Sequence, residues 1–322
     1  MEGWNIGMMS DHSNMGSVFH HYIIPTFQYS NYAVFLGCDM LDPKKVRRKK
    51  QALLGNLRAL DSLLVAFSGG VDSTFLLALA REALGKKVLA VTAHSTLYPR
   101  SEIEEAVAFA RDQGIEHVLL ASEASYLPEF VVNTPERCYV CKKYLFGRLR
   151  EIAGQRGIRF IAHAANMDDF KDFRPGWKAA VEMGGLAPLV DARLTKQEIR
   201  FLSKEMGLAT WDKPSMACLA SRIPYGEPIT DEKIRRVGEA EKAIAVLGFT
   251  QYRVRYHGPV ARIELQVSDM KKIMEPEIRE KLVAKLKDLG FLYVTLDLEG
   301  YVTGSMNRTL PMPKVSKVGE SR

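Results

Sequence analysis

Leu63-Leu64-Val65-Ala66-Phe67 runs directly into Ser68-Gly69-Gly70-Val71-Asp72-Ser73, after which apolar residues return at helical spacing as Phe75, Leu76, Leu79 and Leu84. A short apolar run bounded by a turn signal reads as a strand covered on both faces, and the spacing after it as a helix packed on a core. At such a junction the first helical N–H groups lack intrahelical partners and stand at the positive end of the helix dipole, so the turn is a seat for phosphate. Gly69 and Gly70 let the backbone approach an anion closely, and Ser68 and Ser73 add hydroxyl donors. No Gly-Lys-Ser/Thr follows, so this is not a Walker loop.

The rest of the chain supplies the frame for that turn. A basic helix from Lys45 precedes it, and strands are expected at Lys87 to Ala93, His117 to Ala121 and Phe160 to Ala164. Between them lie helices from Ser101 to Gly114, with Ser101 and Glu104 spaced as a capping box, and from Glu136 to Gly157. Asn166 to Gly176 reads as a polar loop, and Thr195 to Met206 as a helix ended by Gly207. Strands alternating with helices imply a mostly parallel sheet, which binds ligands at the carboxyl ends of its strands. After Trp211-Asp212-Lys213-Pro214 the rhythm changes. A helix from Asp231 to Leu247, strands at Tyr252 to Tyr256 and Val260 to Val267, a helix from Pro276 to Leu289 and a strand at Phe291 to Leu298 make a small α+β unit, with His257-Gly258-Pro259 as a hairpin turn. The fold class is therefore α/β, a parallel-sheet domain over 41–212 followed by an α+β domain over 213–304. Residues 1–40 read as an N-terminal extension, ordered or disordered, and 305–322 as a tail with little power to pack.

Composition narrows the setting. An apolar fraction of 47% over 322 residues is that of a soluble globular protein, and no run is long enough to span a bilayer. With no basic segment leading into an apolar core and cleavage site at its start, the chain is expected in the cytoplasm. The net charge of +7 suits phosphorylated ligands, but much of it lies in Lys44 to Lys50, which reads as a solvated helix start more readily than as a nucleic-acid arm. Of the four cysteines, Cys38 has no partner nearby in sequence. Cys138 and Cys141 stand three apart on one helical turn, close enough to share a metal. With Cys218, they are enough for three corners of a [4Fe-4S] cluster or three of four ligands to zinc.

Two resemblances extend this reading. Ser68-Gly69-Gly70-Val71-Asp72-Ser73 resembles the pyrophosphate loop of the PP-loop ATPases, which cleave ATP to AMP and pyrophosphate and activate a substrate by adenylation. Taken in order, that loop, Glu136-Arg-Cys-Tyr-Val-Cys-Lys142, Asn166 to Gly176, Lys213-Pro-Ser-Met-Ala-Cys-Leu-Ala-Ser-Arg-Ile-Pro-Tyr-Gly226, and Arg253-Val-Arg255 with Ala261-Arg-Ile-Glu264 resemble the LarE family of ATP-dependent sulfur transferases over about residues 41 to 300.

The resemblance implies that ATP, with Mg²⁺, adenylates the carboxylates of pyridinium-3,5-biscarboxylic acid mononucleotide. A sulfur nucleophile then displaces AMP to give thiocarboxylates for nickel-pincer cofactor biosynthesis. Cys218 matches the sulfur-donating cysteine of single-cysteine members, in which the protein is consumed. Cys138 and Cys141 add the pattern of three-cysteine members, which implies a [4Fe-4S] cluster on Cys138, Cys141 and Cys218, an extra sulfide on its open iron, and an external sulfide donor.

ATP is expected at Ser68, Gly69, Gly70, Val71, Asp72 and Ser73, with Asp72 a contact for Mg²⁺. Arg222, Arg253 and Arg255, with Ser221 and Glu264, are expected to hold the substrate's phosphate and carboxylates, Arg253 and Arg255 leaving one face of a strand. A solvated or Glu264-paired strand face is the competing reading. Glu241 is expected to orient the arginines, and His94 and Ser95 end a strand where PP-loop proteins meet adenine.

One departure stands out. Where the family has Asp-Gly-Thr ahead of Asn166, this chain has His163-Ala164-Ala165, read as a local replacement rather than a fourth cluster ligand. Similar proteins are commonly homo-oligomers. Thiolation of a tRNA base is the alternative within the fold, and a regulatory nucleotide- or zinc-binding module the alternative outside enzymes.

Overall fold

Helix α1 (Pro43–Arg58) begins where the Asp42 carboxylate accepts from the amides of Lys44 and Lys45 at 2.9 and 3.3 Å, with Pro43 in the first turn. The computed structural model describes residues 41–171 and 175–310; the expected N-terminal extension, with Cys38, and the last part of the tail lie outside the described residues. Val46, Leu53, Leu54 and Leu57 form the buried stripe of α1. On its basic side Arg47 pairs with Glu205 and Lys49 with Glu198 at 2.7 Å, so these two cations of the basic cluster are engaged within the fold.

The order continues with β1 (Leu63–Ala66), α2 (Val71–Leu84), β2 (Val88–His94), α3 (Arg100–Asp112), β3 (Glu116–Ala121), the one-turn helix α4 (Pro128–Val131), α5 (Arg137–Gln155), β4 (Phe160–Ala162), α6 (Pro175–Glu182), the one-turn α7 (Pro188–Asp191) and α8 (Lys196–Glu205). The four strands are parallel in the order β3-β2-β1-β4, so β1 is interior and its carboxyl end opens onto the glycine turn. Alternate residues of β1 feed two cores. Leu63 and Val65 join Phe75, Leu76 and Leu79 of α2 and Ile199 and Leu202 of α8, while Leu64 faces Phe146 and Leu149 of α5.

A second sheet follows. Helix α9 (Asp231–Val246), strands β5 (Tyr252–His257) and β6 (Val260–Leu265), the one-turn α10 (Met270–Ile273), α11 (Pro276–Asp288) and β7 (Tyr293–Leu296) build it, with β5 antiparallel and β7 parallel to β6. Gly258 makes the hairpin at φ +58°. The core of this unit, Ile234, Val237, Val254, Ile263, Leu282, Leu286 and Phe291 among others, also takes in Leu97 and Phe130 from the first sheet's connections. The two sheets therefore share packing at the place where the sulfur-bearing segment lies.

Three local expectations are corrected. Helix α3 starts at Arg100 behind Pro99, which enters extended at ψ 138°, so Ser101 falls inside the first turn and makes no cap; Glu104 pairs instead with Arg100 at 2.9 Å. The polar loop is shorter than expected, because Met167–Lys171 forms a 3₁₀ turn and Pro175 opens α6. The tail packs at its start. Ser305–Thr309 is a 3₁₀ turn whose Ser305 hydroxyl donates to Glu264 at 2.9 Å and accepts from Arg255 at 3.1 Å.

Candidate active site

At the end of β1 the glycine turn is organised by its own hydroxyls. Ser73 Oγ donates to the Gly70 carbonyl at 3.1 Å, accepts from the Ser68 amide at 3.3 Å, and lies 3.0 Å from Ser68 Oγ. Gly69 takes φ +71°, and a Cβ there would meet Ala106 Cβ at 3.2 Å and the Glu102 carbonyl at 3.3 Å. The glycine is thus required by backbone conformation and by the close approach of α3. Gly70 precedes α2 without a capping side chain, which leaves the first helical amides facing the turn.

Lysines from two later segments close around this turn. Lys196, the first residue of α8, places Nζ 2.7 Å from Asp72 Oδ2. Burial raises the Asp72 carboxyl and Lys196 opposes that rise, with Asp169 and Asn166 close enough to contribute. Helix α8 is aimed by a Thr195–Glu198 capping box and by the Asp168 carboxylate, which accepts from the Lys196 amide at 2.7 Å. Lys213 Nζ lies 2.7 Å from Glu102 and from Glu105 and 3.3 Å from the Gly69 carbonyl. Neither lysine is singled out by sequence reasoning. Lys213 does open the stretch containing Cys218, whereas Lys196 carries no signal before the fold brings α8 to Asp72. His94 lines a groove of about 450 Å³ with Arg100, Ile103, Val107 and Leu119, and the Ser95 hydroxyl accepts from the Leu97 amide at 3.2 Å.

The three thiols converge from two segments. Cys138 is in the first turn of α5 and Cys141 one turn on, while Cys218 precedes a 3₁₀ turn, Leu219–Arg222, anchored where the Leu219 amide donates to the Leu97 carbonyl at 2.9 Å. Tyr98 stands beside all three, and burial together with their charges pushes its hydroxyl well above the ordinary phenol range. Cys138 is exposed and Cys141 and Cys218 partly so. Even so, surrounding protein withdraws enough water to raise Cys138, an effect strengthened by Cys218 and opposed by Arg137 and Lys142. Cys141 is pushed up to about 12, by burial first and then by Cys218. Among the described residues these three soft sulfur donors match the donor type of an iron–sulfur cluster with an open iron. Among the described residues, however, no three His, Cys, Asp or Glu side chains already form a metal-holding set.

The arginines are engaged. Arg222 is fully buried, grips Glu241 through Nε and Nη2 at 2.8 and 2.9 Å, and donates from Nη1 to the Ala217 and Cys218 carbonyls and the Ser221 hydroxyl. That saturated fork shapes the loop of Cys218. Arg255 pairs with Glu264 at 2.7 Å and donates to the Ser221 carbonyl at 3.1 Å. Arg253 donates to the Ser215 carbonyl and lies over the Tyr301 ring, 5.0 Å from its centroid. Arg253 and Arg255 do share one face of β5, and Glu264 faces Arg253 in the register while bonding Arg255. His163 is buried edge-on to Phe146 and Trp177, and its Nε2 has no hydrogen-bond partner among the described residues.

An interior parallel strand that ends in Ser-Gly-Gly-Val-Asp-Ser at an uncapped helix, ringed by lysines, defines a PP-loop ATP pyrophosphatase. The NAD synthase family model matches residues 51–135, the span that contains the loop. GMP synthase of Aeropyrum pernix is 29% identical over 57% of this chain and 39% of its own length. Two relatives match far more of the chain. An uncharacterized protein of Synechocystis is 42% identical over 81% of this chain and 98% of its own length. The pyridinium-3,5-bisthiocarboxylic acid mononucleotide synthase of Lactiplantibacillus plantarum is 37% identical over 81% of this chain and 95% of its own. This chain belongs to the LarE family of ATP-dependent sulfur transferases.

Proposed function

We propose that this protein adenylates the carboxylates of pyridinium-3,5-biscarboxylic acid mononucleotide and replaces one oxygen of each by sulfur, toward a nickel-pincer cofactor. The observation that carries the reading is the convergence of Cys138, Cys141 and Cys218 in a fold whose other half is an ATP pyrophosphate loop. The named relative from Lactiplantibacillus plantarum supports the substrate.

A carboxylate resists nucleophiles because its charge repels them and its leaving group is oxide. Attack of a carboxylate oxygen on the α-phosphorus of ATP releases pyrophosphate and leaves a mixed anhydride with AMP. Sulfur attack on that carbonyl carbon expels AMP, forming C–S as C–O breaks. Ser68, Gly69, Gly70, Val71, Asp72 and Ser73 hold the triphosphate by amides and hydroxyls, and the Asp72 oxygen not bonded to Lys196 is the contact assigned to Mg²⁺. Ser221, Arg253 and Arg255 hold the substrate's phosphate, with Glu264 orienting Arg255. Arg222 holds the loop of Cys218 and not the substrate. The proposed boundary at residue 212 separates the pyrophosphate loop from Cys218, while Cys138 and Cys141 reach the transfer site from the first domain.

Cys138, Cys141 and Cys218 are the residues that would hold a [4Fe-4S] cluster. When bound, it supplies an iron site for sulfide from an external donor, so that the chain turns over. The raised Cys138 and Cys141 thiols fit that role, since a neutral thiol becomes a ligand by losing its proton to the metal.

Anaerobic purification, iron and sulfide analysis, and mass spectrometry of substrate and Cys218 after reaction test the proposal. Bound iron, repeated turnover with added sulfide and an intact Cys218 are expected. Colourless protein that forms thiocarboxylate while Cys218 becomes dehydroalanine replaces catalysis with sacrifice. Pyrophosphate release stimulated by tRNA instead of the mononucleotide overturns the substrate assignment.

A further inference from the structure

From Trp211 to Cys218 the chain forms neither helix nor strand, so its carbonyls need partners from elsewhere. Cationic side chains supply several. Arg200 donates to the Trp211 and Lys213 carbonyls at 2.8 and 2.7 Å, Arg253 to that of Ser215, and Arg222 to those of Ala217 and Cys218 at 2.7 and 3.1 Å. Two tethers then lead from this segment to the phosphate loop. Lys213 reaches the Gly69 carbonyl, Glu102 and Glu105, and Arg200 lies one turn after Lys196, which binds Asp72. Both tethers meet at Lys213, one through its ammonium and one through its carbonyl.

We propose that Lys213 is a positioning residue that couples polyphosphate binding in the loop to the placement of Cys218. The proposal rests on the adenylation chemistry assigned above. Two carboxylates and one carbonyl share the Lys213 ammonium. A triphosphate beside Gly69 brings several negative charges into competition with Glu102 and Glu105, and the ammonium turns from α3 toward the phosphates. Arg200 holds the Lys213 carbonyl as a pivot, and Pro214 follows with φ fixed by its ring, so rotation of Lys213 about that anchor passes toward Cys218. Sulfur transfer is then set in place only when the activating site is loaded.

Peptide-resolved alkylation of Cys218 by iodoacetamide, in reduced full-length protein with and without a non-hydrolysable ATP analogue and Mg²⁺, reads this coupling. The analogue is expected to change the wild-type rate by at least about threefold. Lys213→Gln, shown by calorimetry to bind the analogue, loses that change, and Lys213→Arg restores it. In turnover, Lys213→Gln lowers thiocarboxylate formation at least about tenfold more than it lowers ATP–pyrophosphate exchange, a split that mere destabilisation does not produce. Equal shielding of Cys218 in wild type and Lys213→Gln overturns the proposal, as does an equal fall in both half-reactions. If Lys213→Gln does not fold, the Glu102→Gln/Glu105→Gln protein decides: without nucleotide it alkylates at the analogue-bound rate, and an unchanged rate overturns the coupling. Wild type that makes no thiocarboxylate counts against the substrate assignment alone, since the alkylation arm needs only nucleotide.

Discussion

Arg222 and Glu241 meet through two bonds, Nε to Oε1 at 2.8 Å and Nη2 to Oε2 at 2.9 Å, with the arginine wholly out of solvent. Glu241 Oε1 also accepts from the Val254 amide at 3.0 Å, and Arg222 Nη1 holds the Ala217 and Cys218 carbonyls. The pair therefore fastens α9, β5 and the sulfur-bearing loop at one point. Burial alone would disfavour the guanidinium charge, and the neighbouring carboxylate outweighs that cost, leaving Arg222 above its ordinary range.

Removing one partner leaves a buried charge uncompensated. Glu241→Gln is expected to lower stability by about 3–5 kcal/mol, measured as a fall in urea midpoint at unchanged slope. The Arg222→Met/Glu241→Leu protein regains much of that loss because it buries no charge. Its sulfur transfer stays impaired, because the Ala217 and Cys218 carbonyls have lost their donor. Full activity in the double variant would show that the pair only stabilises the fold.

The two loop glycines separate conformational from ligand demands. Gly69→Ala places a side chain at φ +71° and against Ala106 and Glu102, and is expected to cost at least about 1–2 kcal/mol as well as ATP binding. Gly70 has φ −81°, and a Cβ there meets only the Ser68 hydroxyl, at 3.5 Å. Gly70→Ala is therefore expected to change stability by less than about 0.5 kcal/mol and yet weaken ATP about tenfold or more, by intruding where phosphate meets the helix amides. Calorimetric titration beside urea unfolding distinguishes the two effects.

Local physics explains why some of this was legible in the sequence. The strand-turn-helix at Leu63 to Leu84 announces itself because apolar run, glycines and helical spacing are all contiguous, and the Cys138–Cys141 pair because one helical turn fixes it. Lys196, Arg200 and Tyr98 carry no such pattern, since their roles arise only when distant segments pack together. The arginines show a subtler gap. Sequence marks Arg253 and Arg255 as sharing a strand face, but the length and fork of an arginine let it serve backbone carbonyls as well as a ligand, and the carbonyls of Ser215 and Ser221 reach them only through packing of a distant segment. At α3, Pro99 overrode a capping pattern that Ser101 and Glu104 otherwise satisfied.

His163 predicts an acid-sensitive core. Burial, helped by Lys142, lowers its pKa from 6.5 to about 3, and its Nε2 has no partner among the described residues to share a proton. Below pH 6.5 the unfolded chain binds a proton that the folded chain refuses, so stability falls with pH from 6.5 toward about 3. The limiting slope is about 1.4 kcal/mol per pH unit for this group. His163→Gln removes that contribution, and urea midpoints measured across this window should flatten relative to wild type. Parallel curves for the two proteins would show that His163 is protonated in the folded state.

Cys141 makes the opposite prediction on the alkaline side. Its thiol is held at about 12 by burial first and by Cys218 second, so near neutral pH it is overwhelmingly protonated in the metal-free protein. Iodoacetamide attacks the thiolate, and Cys141 is expected to react at least about a hundredfold more slowly than an unhindered cysteine, with the rate rising about tenfold per pH unit. For stability the sign is fixed by proton counting. An unfolded thiol ionises near 9 while the folded one keeps its proton, so the contribution of Cys141 is fully present below about 9 and is lost as pH rises toward about 12. A metal that binds this thiol must displace the proton, so adding ferrous iron and sulfide under anaerobic, weakly buffered conditions should release protons as Cys141 becomes protected. Proton release that persists undiminished in Cys141→Ser would place the metal elsewhere. Rapid alkylation of Cys141 near neutral pH would mean that water reaches this thiol freely and that its proton is not held by burial.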